Sequence, residues 1–184
     1  MKKLFAEQAD NLKVMSYATD IRPITSPISL SEALEGVQGV DWSLCPDTEQ
    51  SVSGVSVSSI DIEDHWVFVA IPGLVQHGIR FLHAAVEAGA SAVVTDREGS
   101  ERAREMNVDI PIVIVADPRR ASATIAANIY RHPASALKTA AVTGTNGKTT
   151  TTYLLRSILR STFNDPALCG TVEIRVGDLV INSE

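Results

Sequence analysis

The chain has 184 residues and a mass of 19.7 kDa, room for one ordinary domain or two small ones with a buried core. Hydrophobic residues make up 45% and charged residues 21%, which excludes a disordered tail, a collagen-like repeat and a small disulfide scaffold. Lys and Arg total 16 against 22 Asp and Glu, a net charge of −6, so no basic field is available for a nucleic-acid backbone and any anionic ligand must be held by local groups.

At the N-terminus, Met1, Lys2 and Lys3 precede an apolar stretch that stops at Leu4-Phe5-Ala6, before Glu7 and Asp10. That is too short for an export signal, and a cytoplasmic protein is expected. From Ile21 to Gln50 the chain carries Pro23, Pro27 and Pro46 and one short helical pattern at Leu30, Ala33, Leu34 and Val37, with Ser29 or Ser31 as its cap. Val52–Val57 and Val67–Ile71 suit short strands, the second closed by the Pro72-Gly73 turn. His77–Ala88 reads as a helix stopped by Gly89. His77 and His83, on or near that helix, suit packing or surface positions better than ligation.

Ala92–Thr95 and Ile112–Ala116 are β-branched runs without polar alternation, as expected of strands covered on both faces, with a charged helix over 97–106 between them. Strand, helix, strand alternation makes the fold class α/β. The longest apolar run, Ile110 to Ala116, is broken by Pro111 and spans about a third of the roughly 20 residues that a bilayer crossing needs, so no membrane span is expected. Asp117-Pro118 opens a helix whose Ala121, Ile125 and Ile129 share one face, and Pro133–Lys138 reads as a linker. Thr139–Thr143 has the pattern of a buried strand, Leu154, Leu155, Ile158 and Leu159 mark a helix face, and Thr171–Val176 with Leu179–Asn182 flank Gly177-Asp178 as a hairpin. Cys45 and Cys169 lie far apart with no metal-ligand spacing and read as reduced thiols.

One segment carries chemistry: Gly144-Thr145-Asn146-Gly147-Lys148-Thr149-Thr150, between an expected strand and an expected helix. Its glycines let successive N–H groups turn inward, and the helix that follows adds its positive end, so the loop suits a phosphate. Lys148 supplies a charge for the β- and γ-phosphates of ATP, and the Thr149 hydroxyl suits Mg2+. The full Walker A pattern requires a glycine where Val142 stands, so the match is to the shorter Gly-x-x-Gly-Lys-Thr form. The competing reading is a plain glycine turn with Lys148 in solvent, which does not account for the four threonines that follow the lysine.

The stretch from Val142 to Thr152 resembles the ATP loop of the Mur ligases, the amide-forming synthetases of bacterial peptidoglycan precursor assembly. Tyr130-x-His132-Pro133, Gly54–Ser59, Phe68–Gly73 with His77-Gly78 and Phe81, and Gly170-Thr171-Val172 resemble the diamino-acid-adding branch of that family in order and spacing. The resemblance covers residues 50 to 184 and implies a UDP-sugar-binding N-terminal domain over 1–135 and the start of a P-loop central domain over 136–184. By the same resemblance Val57 and Ser59, and Leu74, Val75 and Gln76, hold the UDP end of UDP-N-acetylmuramoyl-L-alanyl-D-glutamate. Here the sequence departs from the family: its Asp-Ser-Arg trio reads Ser58-Ser59-Ile60, and its Gly-Asp before the strand reads His65-Trp66. Losing the arginine weakens phosphate contact.

The implied reaction is ATP-driven amide formation. The D-Glu carboxylate takes the γ-phosphoryl group, and a diamino acid, diaminopimelate or lysine, attacks the acyl phosphate. Only Thr151 to Glu184 follows the loop, enough for one helix and a hairpin, whereas a complete doubly wound domain needs several more strands. The expectation is a fragment of a longer enzyme without turnover of its own. Two other readings stand beside it, a folylpolyglutamate-synthetase-like ligase and a non-catalytic UDP-sugar-binding module. The oligomeric state is left open.

Overall fold

The computed structural model describes residues 25–162 and 166–182. The N-terminal residues read above for an export signal lie outside the described residues. The chain divides into two compact units, one of them Pro23–Leu137 and the other containing Lys138–Glu184.

The first unit is built on a parallel sheet of β3 (Gly54–Ser56), β4 (Trp66–Val69), β5 (Ala90–Thr95) and β6 (Ile112–Ile114), in that spatial order. Side chains along β4 alternate between two cores. Val67 and Val69 face a cluster with Ala92, Val94, Val113, Ile125 and Ile129, while Trp66 and Phe68 face one with Val93, Ile79, Leu82, Ala85 and Ala103. Both faces are therefore covered, which is why these strands read as unbroken apolar runs. Over the first face lie α1 (Leu30–Ala33) and α4 (Pro118–Ile129); over the second lie α2 (Leu82–Glu87) and α3 (Arg97–Glu105). A two-residue antiparallel pair, β1 (Ile28–Ser29) with β2 (Ser51–Val52), adds Ile28 and Val52 to the first core. The fold is α/β.

Local chemistry sets the helix ends. Ser29 caps α1, accepting from Glu32 N at 3.1 Å, Asp96 caps α3, and Asp117 caps α4 with Pro118 at its first position. At the far end of α4, His132 N–H donates to Ala127 O (2.7 Å) and Arg131 N–H to Asn128 O (3.1 Å), with Arg131 at φ 58°. This is a Schellman stop with arginine where glycine is usual. Asn128 Nδ2 donates to the carbonyls of Ala33 and Glu35 at 3.0 and 2.9 Å, so α4 closes the C-terminal turn of α1.

Several boundaries differ from the sequence reading. The Val52–Val57 run splits at Ser53 between two sheets, because Ser53 N–H is drawn to His65 O (2.9 Å). The helix expected from His77 opens as a 3-10 turn, Gly78–Phe81, before α2. The pattern at Leu30–Val37 keeps only Leu30–Ala33 as helix, since Gly36 turns to φ 76°. The expected linker contains a 3-10 turn at Pro133–Ala136.

The second unit contains α5 (Lys148–Arg160) and a three-stranded antiparallel sheet of β7 (Leu168–Cys169), β8 (Glu173–Val176) and β9 (Leu179–Asn182). The β8–β9 hairpin turns through Gly177-Asp178, with Val176 paired to Leu179 and Gly177 at φ 60°. The strand expected at Thr139–Thr143 is not formed, and the segment is irregular and largely exposed. A strand needs a hydrogen-bonded neighbour, and none of the described residues pairs with this run.

Candidate nucleotide sites

The glycine loop of the second unit turns at Gly144 (φ 149°) and Gly147 (φ 76°), the latter in the left-handed region immediately before α5 begins at Lys148. A left-handed residue at the helix start suits glycine, and a Cβ at Gly147 would meet nothing within 4 Å, so backbone conformation rather than space selects it. The first amides of a helix have no partner within it, so those of α5 form a positive rim at Lys148–Thr150. Lys148 Nζ folds back over the loop and donates to Gly144 O (2.5 Å) and Thr145 O (3.3 Å). Residues 143–151 are exposed. The ammonium, the amides and the Thr149 hydroxyl are thus gathered within one turn of α5 and its preceding loop, a donor set that fits an oligophosphate. Magnesium, which keeps waters and shares phosphate oxygens, asks for few protein ligands. No cluster of acidic, cysteine or histidine ligands occurs among the described residues.

In the first unit the other expected residues occupy loops leaving the carboxyl ends of β3 and β4, adjacent strands paired from Gly54↔Trp66 to Ser56↔Phe68. Open parallel sheets bind ligands at that end. Val57 and Ser59 follow β3, Ser59 opening the 3-10 turn Ser59–Asp61, and Ile60 is 91% exposed. Leu74, Val75 and Gln76 cap a tight turn after β4. The turn is closed by Gly73 N–H to Gln76 O (3.2 Å), Gly78 N–H to Ile71 O (2.9 Å) and a bridge between Pro72 and His77. A Cβ at Gly73 would sit 2.6 Å from Gln76 O, so the turn demands glycine there. Leu74 and Val75 are fully exposed, and Gln76 accepts from the Arg80 guanidinium. Two grooves near the ends of β5 and β6, of about 500 and 370 Å3, are lined by none of these five residues.

Sequence reasoning missed two clusters. His77 is buried and bonded to Asp96, nineteen positions on, a pairing that no local pattern announces. In the second unit, Glu173 on β8 is buried and gripped by Arg175 through two nitrogens, with Nη2 to Oε2 at 3.2 Å, and the Tyr153 phenol of α5 interacts with its carboxylate. The Arg175 and Tyr153 hydrogen bonds hold the Glu173 carboxyl below the usual carboxylate range, and the bond to Glu173 pushes the Tyr153 phenol up. A lowered carboxyl contributes stability at neutral pH that is lost as pH falls through its folded value. A raised phenol contributes stability that is lost as pH rises through its own. The tie between α5 and β8 is therefore expected to hold at neutral pH and fail at both extremes. In the ultraviolet titration difference between the wild type and Tyr153→Phe, Tyr153 should ionise above free tyrosine, and Glu173→Gln should bring its midpoint down. A midpoint indifferent to that substitution would remove the tie.

Of the thiols, burial pushes Cys45 up, which disfavours its reactive form, and Cys169 is exposed; neither is in a disulfide. No helix among the described residues is long and apolar enough to cross a membrane.

Comparison with known proteins places both regions. Residues 51–130 match the Mur ligase family catalytic domain and residues 142–183 the Mur ligase middle domain. The UDP-N-acetylmuramoyl-L-alanyl-D-glutamate–2,6-diaminopimelate ligase of Streptomyces coelicolor is 38% identical over 170 residues, which are 92% of this chain and 32% of that protein. The ligase of the same name from Caldanaerobacter subterraneus subsp. tengcongensis is 38% identical over 145 residues, 79% of this chain and 29% of its own. Among solved structures, the UDP-N-acetylmuramoylalanyl-D-glutamyl-2,6-diaminopimelate–D-alanyl-D-alanyl ligase of Acinetobacter baumannii shares the fold, with a TM-score of 0.54 at 24% identity over 78% of this chain and 30% of that one. The chain spans about a third of the length of the curated relatives it matches. The match of both segments, in the order in which they follow one another here, means that the chain belongs to the Mur ligase family.

Proposed function

We propose that the chain carries the nucleotide-binding parts of a ligase that joins 2,6-diaminopimelate to UDP-N-acetylmuramoyl-L-alanyl-D-glutamate at the expense of ATP. The observation that carries this reading is the glycine loop, with its lysine ammonium and helix amides gathered at the start of α5 within the segment that matches the Mur ligase middle domain. The loop amides orient the phosphates, Lys148 neutralises their charge, and Thr149 offers its hydroxyl to Mg2+. Bound Mg-ATP supplies the phosphoryl group that turns a carboxylate, a poor acyl donor, into a reactive one. In the first unit, Val57, Ser59 and Leu74–Gln76 take the uridine and pyrophosphate end, the exposed aliphatic side chains offering a base a flat apolar surface and the backbone amides its hydrogen bonds. The relatives' names favour diaminopimelate over lysine as the amine donor.

Calorimetric titration of the chain with UDP-N-acetylmuramoyl-L-alanyl-D-glutamate and, separately, with Mg-ATP tests both halves. Saturable binding of each is expected. Binding of the UDP-sugar with none of Mg-ATP would favour a nucleotide-sugar module, and binding of neither would end the proposal.

A further inference from the structure

The turn that presents Leu74, Val75 and Gln76 is anchored by one buried side chain, His77. Its imidazole is 6% exposed and bonded on both nitrogens: Ile79 N–H donates to Nδ1 (3.0 Å), and Nε2 lies 3.1 Å from Asp96 Oδ1. Because Nδ1 accepts, the ring proton sits on Nε2 and is donated to Asp96. The same Asp96 oxygen accepts Gly99 N–H (2.8 Å) and so caps α3. The ring packs so closely on that cap that a Cβ at Gly99 would come within 2.8 Å of His77 Cε1 and 2.0 Å of Thr95 Oγ1. Thr95 in turn donates to Ala70 O (3.1 Å), the residue after β4. The root of the exposed turn is thus fastened sideways to the end of β5 and the first turn of α3.

We infer that His77 and Asp96 form a positioning pair that holds the Leu74–Gln76 turn in shape for the uridine diphosphate end of the substrate. This rests on the assignment of that turn to the nucleotide sugar. Neither residue touches the ligand; the pair spares the ligand the cost of ordering the turn on binding. Nδ1 is engaged by Ile79 and Nε2 by Asp96, so both hydrogen-bonding positions of the imidazole are committed to the root of the turn.

UDP itself is the probe, titrated into the 184-residue chain. His77→Asn keeps an acceptor for Ile79 N–H but cannot reach Asp96, and Asp96→Ser keeps a cap for α3 but cannot reach His77. Each is expected to weaken UDP binding about tenfold, the worth of one charge-assisted hydrogen bond, and the double variant to be no weaker than the poorer single one. His83→Asn, on the exposed side of α2, should bind as the wild type does. Should either variant fail to fold, nitrogen NMR of the wild type decides, since the His77 Nε2–H signal is expected to persist and to shift on saturation with UDP. Wild-type affinity in a folded single variant, additive losses in the double, or a His77 signal indifferent to UDP would each overturn the pair's role. A wild-type chain that binds no UDP would instead remove the assignment of the turn itself, and the inference with it.

Discussion

Lys148→Ala is expected to weaken Mg-ATP binding by about 10- to 100-fold, the range of a charge-assisted hydrogen bond, while leaving UDP-sugar binding unchanged. In the free protein the ammonium is held by its own loop, through Gly144 O and Thr145 O, in full contact with water. Bonds so exposed add little to stability, so their loss does not explain a binding defect by unfolding. Lys148 is also the first residue of α5, where alanine forms helix at least as well, and the circular dichroism should be unaltered. What disappears is a cation able to exchange two carbonyls for phosphate oxygens. Lys148→Arg should not restore binding, because the planar fork is wider than the compact ammonium around which the loop carbonyls close. The alternative reading, a lysine serving only to cap a glycine turn, makes the opposite forecast: ATP affinity within about twofold of wild type by the usual scatter of surface substitutions. Equilibrium dialysis of the two variants separates the readings, and an unchanged Lys148→Ala would leave the loop without its phosphate role.

How far the sequence foretold this molecule depends on the range of the interactions involved. Val93, Val94 and Val113 announced buried strands because a strand covered on both faces has no polar period, a local fact. Asp117-Pro118 announced α4 for an equally local reason, the cap and the fixed φ of proline. Thr139–Thr143 carries the same β-branched signal as β5 and yet forms no strand, because a strand is completed by a neighbour that the run itself does not encode. Gly36 ended α1 earlier than the apolar period of Leu30, Ala33, Leu34 and Val37 suggested, a left-handed turn that hydrophobic spacing does not register. The glycine-lysine-threonine loop was legible since its chemistry lies within one short segment. His77 with Asp96, and Tyr153 with Glu173, were not, since each pair joins residues that only the folded sheet or helix brings together.

Gly54→Ala is expected to destabilise the first unit. Gly54 stands opposite Trp66 in the β3–β4 register, and the indole lies across it: a Cβ at Gly54 would fall 2.2 Å from Trp66 Cε2 and 2.5 Å from Cδ2. Two effects of opposite sign compete. Gly54 is not among the residues of positive φ, so alanine fits the backbone and, by restricting the unfolded chain, should stabilise by about 0.4–1 kcal/mol. Against that, overpacking typically costs about 1–3 kcal/mol, and a clash with a rigid ring at this distance belongs at the upper end. Trp66 is 8% exposed and packed with Ile62, Phe68 and Ala90, so the ring can yield only by leaving that core and forfeiting its burial. The steric loss wins, and a net destabilisation of about 2 kcal/mol is expected from a total that for such domains is about 5–15 kcal/mol. Urea unfolding followed by circular dichroism should show an earlier midpoint, with tryptophan fluorescence, measured in a Trp42→Phe background, shifted to the red as the Trp66 ring meets water. The sign of the coupling identifies the cause. Trp66→Leu alone should destabilise by opening a cavity, but in the Trp66→Leu background Gly54→Ala should cost nothing or stabilise, because the obstacle is gone. If Gly54→Ala is equally harmful with and without the indole, the clash is not with the ring, and the close approach of β3 to Trp66 has no part in selecting glycine at position 54.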